Sequence, residues 1–158
     1  MNSRKRVLLV CMGNICRSPT AEGVLRRQVE DRGLAAVIDV DSAGTHGYHV
    51  GEAPDARAIA AAARRGYDLR KLRARKLRRE DFAAFDLVLA MDRDNLANLL
   101  DICPPEYRHR VSLFLAYARR APTDEVPDPY YGPEAGFDLV LDLVEDAALG
   151  LIETLSRG

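Results

Sequence analysis

The 158-residue sequence predicts an α/β fold, a single domain in three layers with a parallel sheet between helices. Three observations predict it. Short apolar runs alternate with segments of helical periodicity along the chain. The first run, Arg6-Val7-Leu8-Leu9-Val10, is apolar on both faces, the pattern of a central parallel strand covered on each side. No repeat, low-complexity tract or Ser/Gly linker interrupts the sequence, so residues 1–158 read as one domain.

The first strand runs into the turn-like Cys11-Met12-Gly13-Asn14. Ser18-Pro19 then opens a helix, with Ser as N-cap and Pro at the first helical position. Ala21, Leu25 and Val29 repeat at helical spacing, and Gly33 supplies the stop. Val37 to Asp41 alternates apolar and acidic residues, as a more exposed second strand does. Pro54-Asp55 leads into an alanine-rich helix that ends near Gly66. Asp86 to Met91 is a third, buried strand, followed by a helix from about Asp92 to Asp101, and Arg110 to Phe114 is the fourth strand. Beyond a proline-rich loop, Phe137, Leu141, Val144, Ala148, Leu151 and Leu155 form the stripe of a long closing helix. Crossovers between parallel strands are right-handed, and ligands of such sheets sit beyond the carboxyl ends of the strands. Residues 11–17 occupy that place.

Composition narrows the function. Apolar residues make up 47% and charged residues 30%, a globular balance, and the net charge of −1 excludes a strongly basic nucleic-acid binder. No apolar run approaches the roughly 20 residues that span a bilayer. After the basic start Met1-Asn2-Ser3-Arg4-Lys5-Arg6, too few apolar residues follow for a signal-peptide core, so a cytoplasmic location is expected. Three cysteines, two of them five apart, are no disulfide framework and read as thiols of a reducing compartment. No His or Cys pair has zinc-site spacing; neither metal nor cofactor is expected, and neither nucleic acid nor membrane as partner. A monomer is expected. Charge is unevenly placed: Arg64 to Arg79 holds nine basic residues against one acidic, and Asp124 to the end holds nine acidic against one basic. These read as two solvated faces of opposite sign; the other reading is a basic flank that attracts an anionic partner.

The chemistry concentrates in Cys11-Met12-Gly13-Asn14-Ile15-Cys16-Arg17-Ser18-Pro19. A thiol, a glycine-containing loop, a guanidinium and a helix N-terminus follow one another in one strand–loop–helix unit. Such a loop can aim several backbone N–H groups at one anion, and the helix end adds positive potential. Arg17 adds a planar fork suited to phosphate oxygens. The same surroundings favour the thiolate of Cys11, its nucleophilic form. Neither the Walker loop nor the Gly-x-Gly-x-x-Gly fingerprint is present. A second element, Asp128-Pro129-Tyr130-Tyr131-Gly132, reads by itself as a turn with surface aromatics. Beside a phosphate-binding thiolate it reads further. A phenol, with a pKa near ~10, leaves poorly as the anion, and a carboxylic acid can protonate it. Two tyrosines beside that acid can sandwich an aromatic ring.

On these two motifs, and on Asp41-Ser42-Ala43-Gly44-Thr45, Pro54-Asp55 with Arg57, Ala74-Arg75 and Met91-Asp92 in order between them, the chain resembles the low-molecular-weight protein tyrosine phosphatases over nearly its whole length. The resemblance implies a four-stranded parallel sheet flanked by helices, with the phosphate-binding loop after the first strand. It implies a metal-free, two-step hydrolysis of phosphotyrosine in protein substrates, with inorganic phosphate as product and competing ligand. Cys11 is the implied nucleophile, Asp128 the general acid and then base, and Arg17 with the loop residues Met12, Gly13, Ile15 and Cys16 the phosphoryl site. Asn14 matches the residue that braces the loop, and Ser18 the hydroxyl that hydrogen-bonds the thiolate, a role compatible with an N-cap. Tyr48, Tyr130 and Tyr131 match the aromatic walls of the cleft; His49 reads as a rim residue, and His46 and His109 as surface or satisfied structural residues.

One departure stands out. Many relatives carry His before the Ala-Arg pair, where it hydrogen-bonds the loop asparagine; here the position holds Leu72, leaving that brace without an identified substitute. Three other activities of this fold fit less well. Arsenate reductases need mid-chain cysteines, but residues 17–102 contain none and Cys103 stands alone. Protein arginine phosphatases have Thr where this chain has Ile15, whose apolar side chain suits a phenyl ring better. A non-enzymatic phosphate-binding module would lack the nucleophile, arginine or acid, and all three are present. Cys16 keeps two readings: a small buried residue under the loop, or, as relatives with this cysteine pair imply, a partner that protects an oxidised Cys11 as a reversible disulfide.

Overall fold

The computed structural model describes residues 4–157. Strand β1 (Lys5–Cys11) lies at the centre with β2 (Ile38–Gly44) on one side and β3 (Leu87–Ala90) on the other; β4 (Val111–Leu113) follows β3. All pairings are parallel, with Cys11 opposite Gly44 and Val10 opposite both Ala43 and Ala90. The strand order β2-β1-β3-β4 reverses direction at β1, so a crevice opens beyond its carboxyl end.

The apolar run of β1 is buried on both faces because two separate clusters cover it. Val7, Leu9 and Cys11 face α1 (Arg17–Asp31), α2 (Ala56–Arg64) and α5 (Ala135–Arg157). Leu8 and Val10 face α3 (Asp81–Ala84) and α4 (Arg93–Ile102), where Phe82 and Leu99 are fully buried. Full burial of each such side chain contributes about 1.5–3 kcal/mol, which makes this strand the rigid support of whatever follows it.

The element ends show where sequence reading and structure part. Gly33 closes α1 as expected: its φ is 71°, its N–H bonds Glu30 O, and Leu34 N–H bonds Val29 O, the paired signature of a left-handed helix stop. Asp55 caps α2 by accepting from Arg57 N at 2.8 Å, and Asp92 caps α4 by accepting from Asn95 N at 2.8 Å. Ser18 does not cap α1. The helix begins two residues earlier, with Cys16 at the N-cap position and no side-chain cap bond, because Ser18 spends its hydroxyl on the loop behind it. Strand β2 continues to Gly44, three residues past the alternating segment; Ser42-Ala43-Gly44 is buried beside the end of β1 rather than exposed. β4 is shorter than expected, since Phe114 turns into a 3-10 helix (Phe114–Tyr117). That turn and the short Pro105–Arg110 3-10 helix carry no periodic signal long enough to read.

Candidate active site

Between β1 and α1 the chain turns tightly around the floor of a cavity of about 460 Å³. Its lining brings together Cys11, Met12, Gly13, Ile15, Cys16, Arg17, Tyr48, His49, Asp128, Tyr130 and Tyr131, which are far apart in sequence. Among the described residues, no amide N–H from Met12 to Cys16 donates to a protein acceptor, five free donors in succession along the loop. A close-set series of unpaired amides at a helix N-terminus is an anion-binding device.

A buried relay holds this loop in shape. Asn14 has φ 58°, the sole non-glycine positive φ among the described residues, so its backbone is held in a conformation that side chains oppose. Its side chain shows what holds it. Asn14 Nδ2 donates to Ser18 Oγ at 2.8 Å and to Ser42 Oγ at 2.9 Å, and Asn14 Oδ1 accepts from Arg75 N at 3.0 Å. Ser42 Oγ in turn donates to Glu22 Oε1 at 2.7 Å. Ser18 Oγ accepts from Asn14 and lies 2.9 Å from Cys11 Sγ; against a thiolate, which has no hydrogen to give, the hydroxyl is the donor of that bond. The Arg75 amide supplies the brace on Asn14 that the sequence left without an identified substitute for the expected histidine; Leu72 packs on the apolar cluster beneath. Burial pushes the Glu22 carboxyl up from its ordinary value, against the pull of Ser42 and Arg26.

Arg17 is buried and held from one end of its fork. Nη1 donates to Asp92 Oδ2 at 2.6 Å and to Val126 O at 3.0 Å, while Nη2 lies 3.8 Å from Asp128 Oδ2. Burial opposes the charge of Arg17, but nearby Cys11, Asp92 and Asp128 outweigh it and raise its pKa. Asp92 thus works twice, capping α4 with one oxygen and aiming Arg17 with the other. Asp128 is partly exposed, with Oδ1 accepting from Tyr130 N at 3.1 Å. Burial, seconded by Asp55, Cys11 and Asp128, pushes the Cys16 thiol up to about 12, so at neutral pH it adds no charge beside the anion loop.

The aromatic walls differ in how their rings meet. Tyr48 stacks on His46 with ring centres 5.2 Å apart, and Tyr130 meets Tyr131 edge-on at 4.9 Å. Tyr131 is 95% exposed at the mouth. His49 is at the rim, paired with Glu52 at 3.2 Å. A Cβ on Gly44 would stand 2.7 Å from Met12 O, so the end of β2 presses directly on the loop and admits only glycine.

The sequence model of the low molecular weight phosphotyrosine protein phosphatase family matches residues 6–158. The chain belongs to that family. It is 48% identical over 153 residues to a protein of Synechocystis sp. (96% of this chain, 97% of that one). It is 45% identical over 147 residues to the low molecular weight phosphotyrosine protein phosphatase of Schizosaccharomyces pombe (92% and 94%). The crystal structure of a protein tyrosine phosphatase from Entamoeba histolytica, with Hepes in its active site, superposes with a TM-score of 0.95 at 42% identity, covering 98% of both chains. The four-stranded parallel sheet with flanking helices is therefore the fold of this family.

Set against the sequence reading of this family member, the residues expected at the site fall into two groups. Cys11, Met12, Gly13, Ile15, Cys16, Arg17, Tyr48, Asp128, Tyr130 and Tyr131 meet at the cavity. Asn14 and Ser18 lie behind the loop, buried, where they shape it without lining it. Sequence reasoning gave no role to Asp92, Ser42, Glu22 or the Arg75 amide. An acidic residue on the inner face of α1 was the one available signal for Glu22, since buried carboxylates require partners. A separate hollow of about 510 Å³, lined in part by Arg4, Arg6 and Arg26, holds no comparable chemistry: Arg4 pairs with Asp39, and Arg26 with Glu22 and Val40 O.

Proposed function

We propose that the protein hydrolyses phosphotyrosine in protein substrates through a phosphocysteine intermediate. The observation that supports this best is the run of unpaired amides in the loop that follows Cys11, with Arg17 and Asp128 lining the same cavity. The phosphoryl oxygens take the amides and the open side of the Arg17 fork, where donors stay fixed while charge develops. Cys11 Sγ attacks phosphorus as the P–O bond to the tyrosine breaks, and Asp128 gives its proton to the departing phenolate oxygen. Water then attacks phosphorus and passes a proton to Asp128. The S–P bond breaks, inorganic phosphate leaves and the Cys11 thiolate is restored. Tyr48 and Tyr130 flank the ring, and Ile15 offers it an apolar contact in the cavity.

Phosphotyrosine, phosphoserine and phosphoarginine peptides, assayed with reductant and chelator, test the reading. Turnover is expected on phosphotyrosine, with far slower rates on the other two. Preference for phosphoarginine, or dependence on added metal, would overturn it.

A further inference from the structure

The acid loop, residues 127–136, is almost wholly solvent-exposed, yet the proposed mechanism needs Asp128 at a defined place. Arg57, at the first turn of α2, is the side chain that meets this need. Its Nε and Nη2 pair with the two oxygens of Asp55 at 3.1 and 3.0 Å, and Nη2 also donates to Tyr130 O at 3.0 Å. Its guanidinium lies 5.5 Å from the Tyr130 ring centre and 4.8 Å from that of Phe137, which anchors the start of α5. The same residue Tyr130 whose carbonyl Arg57 holds gives its N–H to Asp128 Oδ1. At the other end, Asp55 N donates to Ile15 O at 2.8 Å, inside the anion loop.

A continuous path therefore runs from Ile15 through Asp55 and Arg57 to the Tyr130 peptide and the Asp128 carboxylate. We infer that Arg57 is the positioning residue of the general acid, locking the acid loop to the anion loop at the spacing that proton transfer requires. The inference rests on the assignment of Asp128 as acid. Arg57 touches neither nucleophile nor phosphate in this arrangement; it acts through the Tyr130 backbone. A planar fork is needed because three acceptor oxygens on two segments are engaged at once, which an ammonium cannot reproduce.

The test compares kcat/KM on phenyl phosphate, whose leaving oxygen needs a proton, with a dinitrophenyl phosphate, whose leaving group departs as the anion. Arg57→Ala leaves the α2 cap in place, since Asp55 caps the helix by accepting from the backbone N–H of residue 57. Its expected effect is a loss of about tenfold or more on phenyl phosphate and a much smaller one on the activated ester. Arg57→Lys is expected to recover only part. In an Asp128→Asn background, Arg57→Ala should cost nothing further on phenyl phosphate, since the two residues then act on one step. Equal losses on both esters, or additive losses in the double variant, would overturn the inference. If Asp128→Asn alone slowed both esters equally, the acid assignment itself would fall.

Discussion

Cys11, the proposed nucleophile, illustrates how much of such a role resides outside its own side chain. Its sulfur sits at the end of a buried strand, 2.9 Å from the Ser18 hydroxyl oxygen, which Asn14 holds by donating to it; Asn14 is itself fixed by Ser42 and the Arg75 amide. Cys11→Ser should lower turnover at least about a thousandfold yet still bind inorganic phosphate in calorimetry, because amides and Arg17 make the anion site. Retention of more than a few per cent of activity would contradict a covalent step. Cys16 presents the opposite case. Held as a neutral thiol by burial, it is not needed for phosphate binding or proton transfer, so Cys16→Ser should keep most activity under reductant. In the protective reading of Cys16, peroxide would convert Cys11 to a sulfenic acid, and condensation with the Cys16 thiol would form a disulfide and release water. After a brief peroxide pulse, wild type should recover in dithiothreitol far better than the variant. Equal recovery would leave Cys16 as packing under the loop.

Helix termini are the elements that hold the site. Asp55 caps α2, and the Arg57 side chain foremost holds its carboxyl below the ordinary value of 3.8. A depressed folded-state pKa means stabilisation that is present above the unfolded value and lost as pH falls through the folded one. Asp55→Asn keeps a cap acceptor but removes the charge pairing. Urea midpoints should therefore show the variant less stable near neutrality, with the gap closing below about pH 3.8. A gap that persists in acid would assign the loss to the cap itself. On the far side of the molecule, a Cβ on Gly150 of α5 would stand 1.8 Å from Tyr117 O. Gly150→Ala should destabilise by about 3 kcal/mol, since backbone of the 3-10 turn must move, and urea denaturation measures it.

Across the whole molecule, the two charge blocks are not simply two separate solvated faces. Arg64 and Arg65 of the basic block pair with Asp138, Asp142 and Glu145 of the acidic one, stitching α2 to α5. Arg70 and Arg75 pair with Asp68, Asp41 and Asp81. What remains exposed, with no ion pair among the described residues, is Lys71, Arg73, Lys76, Arg78 and Arg79. Lys76 lies against Gly47, next to the Tyr48 wall, its Cδ 3.5 Å from where a Gly47 Cβ would be. Between about 0.01 and 0.1 M salt the screening length shrinks from about 30 to about 10 Å. Over that range kcat/KM should fall more steeply for phosphotyrosine peptides with acidic flanks than with neutral ones. Identical slopes would make this surface a solvated face only.

The sequence by itself made the four strands and the four longer helices legible in order, because burial on both faces of a strand and on one face of a helix leaves periodic signatures; the four-residue α3 and the two 3-10 turns are too short to leave one. It also displayed the anion loop and the acid motif, since each is a contiguous run whose residue types have a shared chemical use. Boundaries were less legible where a side chain serves the site instead of its own element: Ser18 looks like an N-cap but orients its hydroxyl toward Cys11. Only the tertiary structure decided what stands behind the loop and what links its parts. Asp92 grips Arg17 across 75 positions, the Arg75 amide braces Asn14, and Arg57 joins Ile15 to Asp128 through Asp55 and Tyr130. Such partners leave no periodicity, and two of these links run through backbone groups that every residue possesses. Their selection comes from register, which brings Gly44, Cys11 and Ala90 to one edge of the sheet and makes distant segments neighbours.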